Sequence, residues 1–282
     1  MRVLAALVLL VAHAALAAPA HGHGDGRDHL PVIQELLERS GGRQTLIQLR
    51  EEAVARAAAQ QDQVPPAMAR ALGESLARHT ELTAMQDLMV AGLQRAFDHA
   101  QAEQAVAWYR SPLASRIAQA EVSANEPAAQ AAMTAYLQGL QRDPPSPARL
   151  RLVERLDRAT GGTDTALDLV SAMTRGLARA IAPTLPPERR PRPGELEPID
   201  QQIRREHRQQ LGQAIALRML FANRDVPDAD LEEYLAFWES PPGRWAARST
   251  GRAFVQTLGT VMERVGRDLA RAMPGKEAPA GR

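Results

Sequence analysis

Two stretches decide how this chain is read: EQAVAWYRSPLASRIAQAE at residues 103–121 and EEYLAFWESPPGRWAARST at residues 232–250. Each runs an acidic, apolar-spaced segment into two aromatics, then one charged residue, then Ser-Pro. The pairs are Trp108 with Phe237, Tyr109 with Trp238, Ser111 with Ser240 and Pro112 with Pro241, always 129 positions apart. Helical spacing sets Ala105, Trp108 and Tyr109 on one apolar stripe, and Leu231, Leu235 and Trp238 on its counterpart. A residue before proline is pushed out of the α region, so each helix is expected to stop or kink at its serine. That serine can cap the next helix, whose first position tolerates proline because the N–H there has no partner in any case. Ser-Pro is therefore a helix-to-helix corner, with its aromatics packed beneath it. A core corner that holds no ligand is the plainest reading of Trp108, Tyr109, Ser111, Pro112, Phe237, Trp238, Ser240, Pro241 and Gly243.

An upstream match strengthens the pairing. Leu37-Glu38-Arg39-Ser40-Gly41-Gly42 corresponds to Leu156-Asp157-Arg158-Ala159-Thr160-Gly161-Gly162 with one extra residue, which sets the glycine pairs 120 positions apart. Each glycine pair is expected to end its helix through a left-handed cap. The difference between the two offsets falls to an insertion, and the Pro-rich stretch 183–198 supplies it. Residues 31–143 and 144–274 read as two copies of one helical module, parted at Pro144-Pro145-Ser146-Pro147. Helices are expected near 31–40, 43–61, 66–78, 80–99, 101–110 and 112–141, then near 147–160, 163–182, 197–223, 228–239 and 241–272. No stretch alternates as a strand, and Ala and Leu abound, so the class is all-α and bundle-like. The tail 275–282 is Gly/Pro/Ala-rich and is expected to fray.

The N-terminus reads as an address. Arg2 precedes the ten apolar residues Val3 to Ala12, and Ala15-Leu16-Ala17 offers the small–x–small pattern of a signal peptidase site. Cleavage is expected after Ala17, with Ala18-Pro19-Ala20 as an alternative site ending at residue 20. No other apolar run is long enough to span a membrane, so a periplasmic protein with no transmembrane span in its mature part is expected. The chain has no cysteine, which removes lipidation at the cleavage site, thiol catalysis and disulfides. The balance of 34 basic and 33 acidic residues leaves no field for nucleic acid. The basic run Glu188 to Arg192 lies among prolines and reads as a solvated linker, and Arg204, Arg205 and Arg208 lie on a helix beside Glu206.

At the corner residues the two blocks resemble a bacterial exported family, the domain of unknown function twenty fifty-nine. Its pattern is a leucine-rich first helix ending near glycine, then Phe-Tyr-x-Ser-Pro-x-Gly late in the domain. Trp238-Glu239-Ser240-Pro241-Pro242-Gly243 keeps the second pattern with Trp at the aromatic site, whereas Tyr109-Arg110-Ser111-Pro112 is followed by Ala114 in place of glycine. The resemblance implies a helical fold and an envelope address. It implies no activity and no cofactor.

Chemistry is sparse. No nucleophile elbow, phosphate-binding loop or zinc-protease helix occurs, and Asp228, Asp230, Glu232 and Glu233 read as an acidic helix start that the helix dipole favours. The exception is HGHGDGRDH at residues 21–29. In the segment 18–30, expected to be a flexible leader, His21, His23 and His29 could bind copper, nickel or zinc. A chain beginning at His21 would form a square-planar copper chelate, which Pro19 would spoil in one beginning at Ala18. The sequence reading is thus a non-enzymatic binding or interaction module for a protein, peptide or lipid partner, with metal handling as the alternative and a scattered-residue hydrolase third.

Overall fold

A computed structural model of the chain describes residues 29–272 apart from 60, 64, 187, 189 and 191–193. Among the described residues there are twelve α-helices and no strand. In chain order they are α1 (Leu30–Arg39), α2 (Gly42–Ala59), α3 (Pro66–His79), α4 (Leu82–Gln94), α5 (His99–Tyr109), α6 (Pro112–Ser123), α7 (Ala129–Gly139), α8 (Pro147–Thr160), α9 (Gly162–Ile181), α10 (Leu196–Ala222), α11 (Asp228–Trp238) and α12 (Pro241–Ala272). No described helix is long and apolar enough to cross a membrane.

The helix ends have local causes. Ser111 Oγ accepts from Ala114 N and Ser240 Oγ from Gly243 N, each with proline at the first helical position. Gly41 (φ 72°) and Gly161 (φ 66°) turn the chain out of α1 and α8 in the left-handed region. Asp98 caps α5 at Gln101 N, so α4 ends at Gln94 rather than near 99. One expected helix is broken. The continuous span 112–141 divides into α6 and α7, because Pro127 has no N–H and its ring opposes the carbonyl four residues back.

Residues at the same spacing occupy similar surroundings in the two halves. At an offset of 120, Ile33 and Val153 are both buried, as are Leu36 and Leu156. The ion pair of Glu35 on α1 with Arg110, just past α5, has a counterpart in that of Arg155 on α8 with Glu239, just past α11, with the polarity reversed. The halves share a single core, in which Leu36, Met89, Leu156, Trp238 and Phe254 belong to one buried cluster. α12 is the organising element. Its 32 residues span roughly 48 Å and pack on α3, α4 and α5 from the first half and on α8, α9 and α11 from the second.

Candidate functional site

The two Ser-Pro corners face each other. Trp108 and Phe237 stack with centroids 4.8 Å apart and planes 12° from parallel, and Tyr109 meets Trp238 edge-on at 6.4 Å. Residues at paired positions thus touch across the seam, as they do near a two-fold axis. Ala105, Tyr109, Leu231, Leu235 and Trp238 are buried, whereas Trp108 is only partly so. The sequence placed these aromatics beneath their own corners; their meeting with the other corner carried no local signal.

Behind the stack lies a cavity of about 70 Å³, bordered by Tyr109, Glu121, Asn125, Trp238 and Phe254. Tyr234 donates its hydroxyl to both oxygens of Glu121 at 3.2 Å. Burial raises the Tyr109 and Tyr234 hydroxyls above their usual pKa, and the Glu121 charge adds to that. The Trp238 N–H lies near the Tyr234 hydroxyl without a hydrogen bond of good geometry, and the buried Trp108 N–H likewise has no partner. A space of this size suits a few waters.

The larger recess, about 530 Å³, opens next to it and shares Asn125 as a wall. Gln48, Glu51, Glu52, Ala55 and Arg56 of α2 form one side, Pro127, Gln130 and Met133 the opposite side, and Arg218 of α10 the end. Both halves therefore contribute. Gln48 is 6% exposed, and its amide N–H donates to Val122 O at 3.2 Å. Asn125 Nδ2 donates to Glu121 O at 2.9 Å. Glu52 Oε1 accepts both Nε (3.0 Å) and a terminal nitrogen of Arg56. Gln48 Oε1, Asn125 Oδ1 and Glu52 Oε2 are all screened from solvent and have no hydrogen-bond partner. Burial lowers the Arg218 guanidinium below its usual pKa, with the Glu52 charge opposing the shift. None of these residues was singled out from the sequence, since a lone Gln, Asn and Arg on three helices carry no spacing pattern.

Other candidates are placed as follows. His21 and His23 lie outside the described residues. His29 stands at the start of α1, its ring stacked on Phe97 at 4.2 Å, in a segment the sequence assigned to a flexible leader. Among the described residues no three His, Asp or Glu side chains gather as a metal set. Arg204 pairs with Asp168 and Asp200, and Arg208 with Asp164, which joins α10 to α9 and accounts for part of the basic run. Ser75, His79 and Asp268 do converge, but both Ser75 Oγ (3.0 Å) and His79 Nε2 (2.9 Å) bond the same carboxylate oxygen. Serine hydrolysis needs the histidine between serine and acid, and Ser75 is 1% exposed. This trio clamps α3 to α12.

Comparison with known proteins agrees with the resemblance at the first corner. No curated protein and no solved structure matches the chain. Residues 83–143 match the model of a family described as an uncharacterized protein conserved in bacteria. The match runs from α4 through α7, so it takes in the Tyr109 to Pro112 corner, despite Ala114, and the Pro127–Met133 wall of the recess. Over residues 83–143 the chain is thus similar to that family, DUF2059.

Proposed function

We propose that the protein is an exported, non-enzymatic binding module of the bacterial cell envelope, built from two related helical halves that hold a ligand in the recess between α2, the α6–α7 connection and α10. The observation that carries this reading is the recess itself, which both halves line and whose walls include Gln48, Glu52 and Asn125, each with one solvent-screened oxygen lacking a partner, and the Arg218 guanidinium without local partners. Native sites usually leave few such groups unmet, and a concave space of some hundreds of Å³ is the usual scale for a small ligand. Export rests on the reading of residues 1–17. The related halves rest on the paired caps, the reversed ion pair and the facing corners.

The test is native mass spectrometry of the chain recovered from the periplasm of its own host, beside an Ala55→Trp variant that fills the recess. The expected result is a mature chain beginning at Ala18 with a small molecule retained by the wild type and lost by the variant. An uncleaved chain confined to the cytosol would sink the export claim. A chain with nothing bound in either form would sink the binding claim. One copper on a chain beginning at His21 would replace the reading with metal handling.

A further inference from the structure

The recess has a closed counterpart in the other half. There, α9 and α12 approach until a Cβ added to Gly176 would lie 3.2 Å from the Gly259 carbonyl, and Ala172 sits against Gly259. At the shifts of 120 and 129 that relate the halves, Ala172 and Gly176 correspond to Glu52 and Arg56, and Gly259 to Gln130. All three of those first-half residues line the recess. Where the second half brings small residues together, the first half has long polar ones on α2 and a helix broken at Pro127. The space is therefore written into the side chains of both walls.

Its hydrogen-bonding inventory identifies what fits. Only the amide NH2 can donate to the Val122 and Glu121 carbonyls, so the oxygens of Gln48 and Asn125 are the ends left over. With Glu52 Oε2 they make three acceptors, the number of donors on an ammonium group. Arg218 forms no ion pair and no hydrogen bond, and its planar fork of donors matches a carboxylate in two-point fashion. The charges on the walls nearly balance, Glu51, Glu52 and Glu126 against Arg56 and Arg218. A simple anion leaves the acceptors unmet, and a simple cation leaves Arg218 unmet. Ala55, Pro127 and Met133 offer apolar wall to an aliphatic side chain. α7, which buries no residue, is the element able to yield as the acceptors are reached.

We infer that the recess binds a zwitterionic amino acid or short peptide, with its carboxylate on Arg218 and its ammonium among Gln48, Glu52 and Asn125. This rests on the binding role proposed above and names the ligand class for that same site.

The experiment is calorimetric titration of the full chain with L-leucyl-L-leucine, N-acetyl-L-leucine and L-leucinamide. The dipeptide is expected to bind. The two blocked compounds, each missing one charge, should bind at least about tenfold more weakly, as loss of a charge-assisted hydrogen bond implies. Arg218→Met should abolish binding without lowering the melting temperature, because it removes a desolvated charge and keeps the stem. Arg218→Lys keeps the charge but not the fork, so it should bind weakly and guards against a folding failure of the first variant. Equal binding by wild type and Arg218→Met overturns the inference. So does a wild type that ignores the dipeptide while Arg218→Met melts lower, since Arg218 is then a structural partner of Glu52. If periplasmic protein retains a molecule that Ala55→Trp loses while the dipeptide fails, the ligand class falls and the recess stands. If both fail, both readings fall.

Discussion

The second half of this molecule is closed where the first is open. α9 and α12 meet through Ala172, Gly176 and Gly259, side chains small enough for backbone to lie on backbone. On the other side Glu52, Arg56 and Gln130 stand at the paired positions, and the helix that could close on α2 is interrupted at 124–128. Small residues give density and dispersion, whereas long polar ones hold two elements apart and leave hydrogen-bonding groups to be met. The difference assigns cohesion to one half and, on our reading, binding to the other. α12 joins the two halves, since the continuous helix that seals α9 also packs on α3, α4 and α5.

The corners allow the hardest test of that comparison. A Cβ on Gly243 would lie 2.0 Å from the Phe237 carbonyl oxygen, so Gly243→Ala must open the corner or distort it. We expect a loss of about 3 kcal/mol or more in chemical denaturation, at the upper end of overpacking costs. The matching position already carries a buried alanine, so Ala114→Gly should cost only about 1 kcal/mol. Equal losses at both corners would mean that their backbones are alike after all. The aromatic seam comes next. Phe237→Ala should cost about 3 kcal/mol, and a double-mutant cycle with Trp108→Ala should give a coupling of about 1 kcal/mol. A coupling near zero would separate the two corners energetically and leave the shared core without its stacked contact.

Much of the fold was legible because its signals are local. Ser111, Ser240, Gly41 and Gly161 each bring their own reason to end or start a helix, and those boundaries were read to within a residue or two. The interruption by Pro127 was passed over because flanking alanines carry a helical pattern on both sides, although a proline inside such a pattern is itself the warning. The recess was not legible at all. On our reading Gln48, Asn125 and Arg218 act through what they leave unmet, and an unmet hydrogen bond exists only once helices from both halves have been set around it.

The reversed ion pair gives the smallest effect and the most pointed use of the comparison. Two arginines, Arg110 and Arg39, hold the Glu35 carboxyl down to about 2. A depressed carboxylate contributes stability that is complete above its ordinary value of 4.5 and is lost as pH falls toward 2. Wild type should therefore lose more stability than Glu35→Gln between those limits in acid denaturation. The pair is exposed, so salt should blunt the difference. Importing the polarity of the other half tests whether the positions correspond. Glu35→Arg with Arg110→Glu restores opposite charges but sets the incoming guanidinium one helical turn from Arg39, where the second half has Ala159 after Arg155. The double variant should stay below wild type, and Arg39→Ala on top of it should recover the melting temperature. If the third change brings no recovery, the two helix pairs differ in more than sign, and the likeness of the halves stops at their caps and corners.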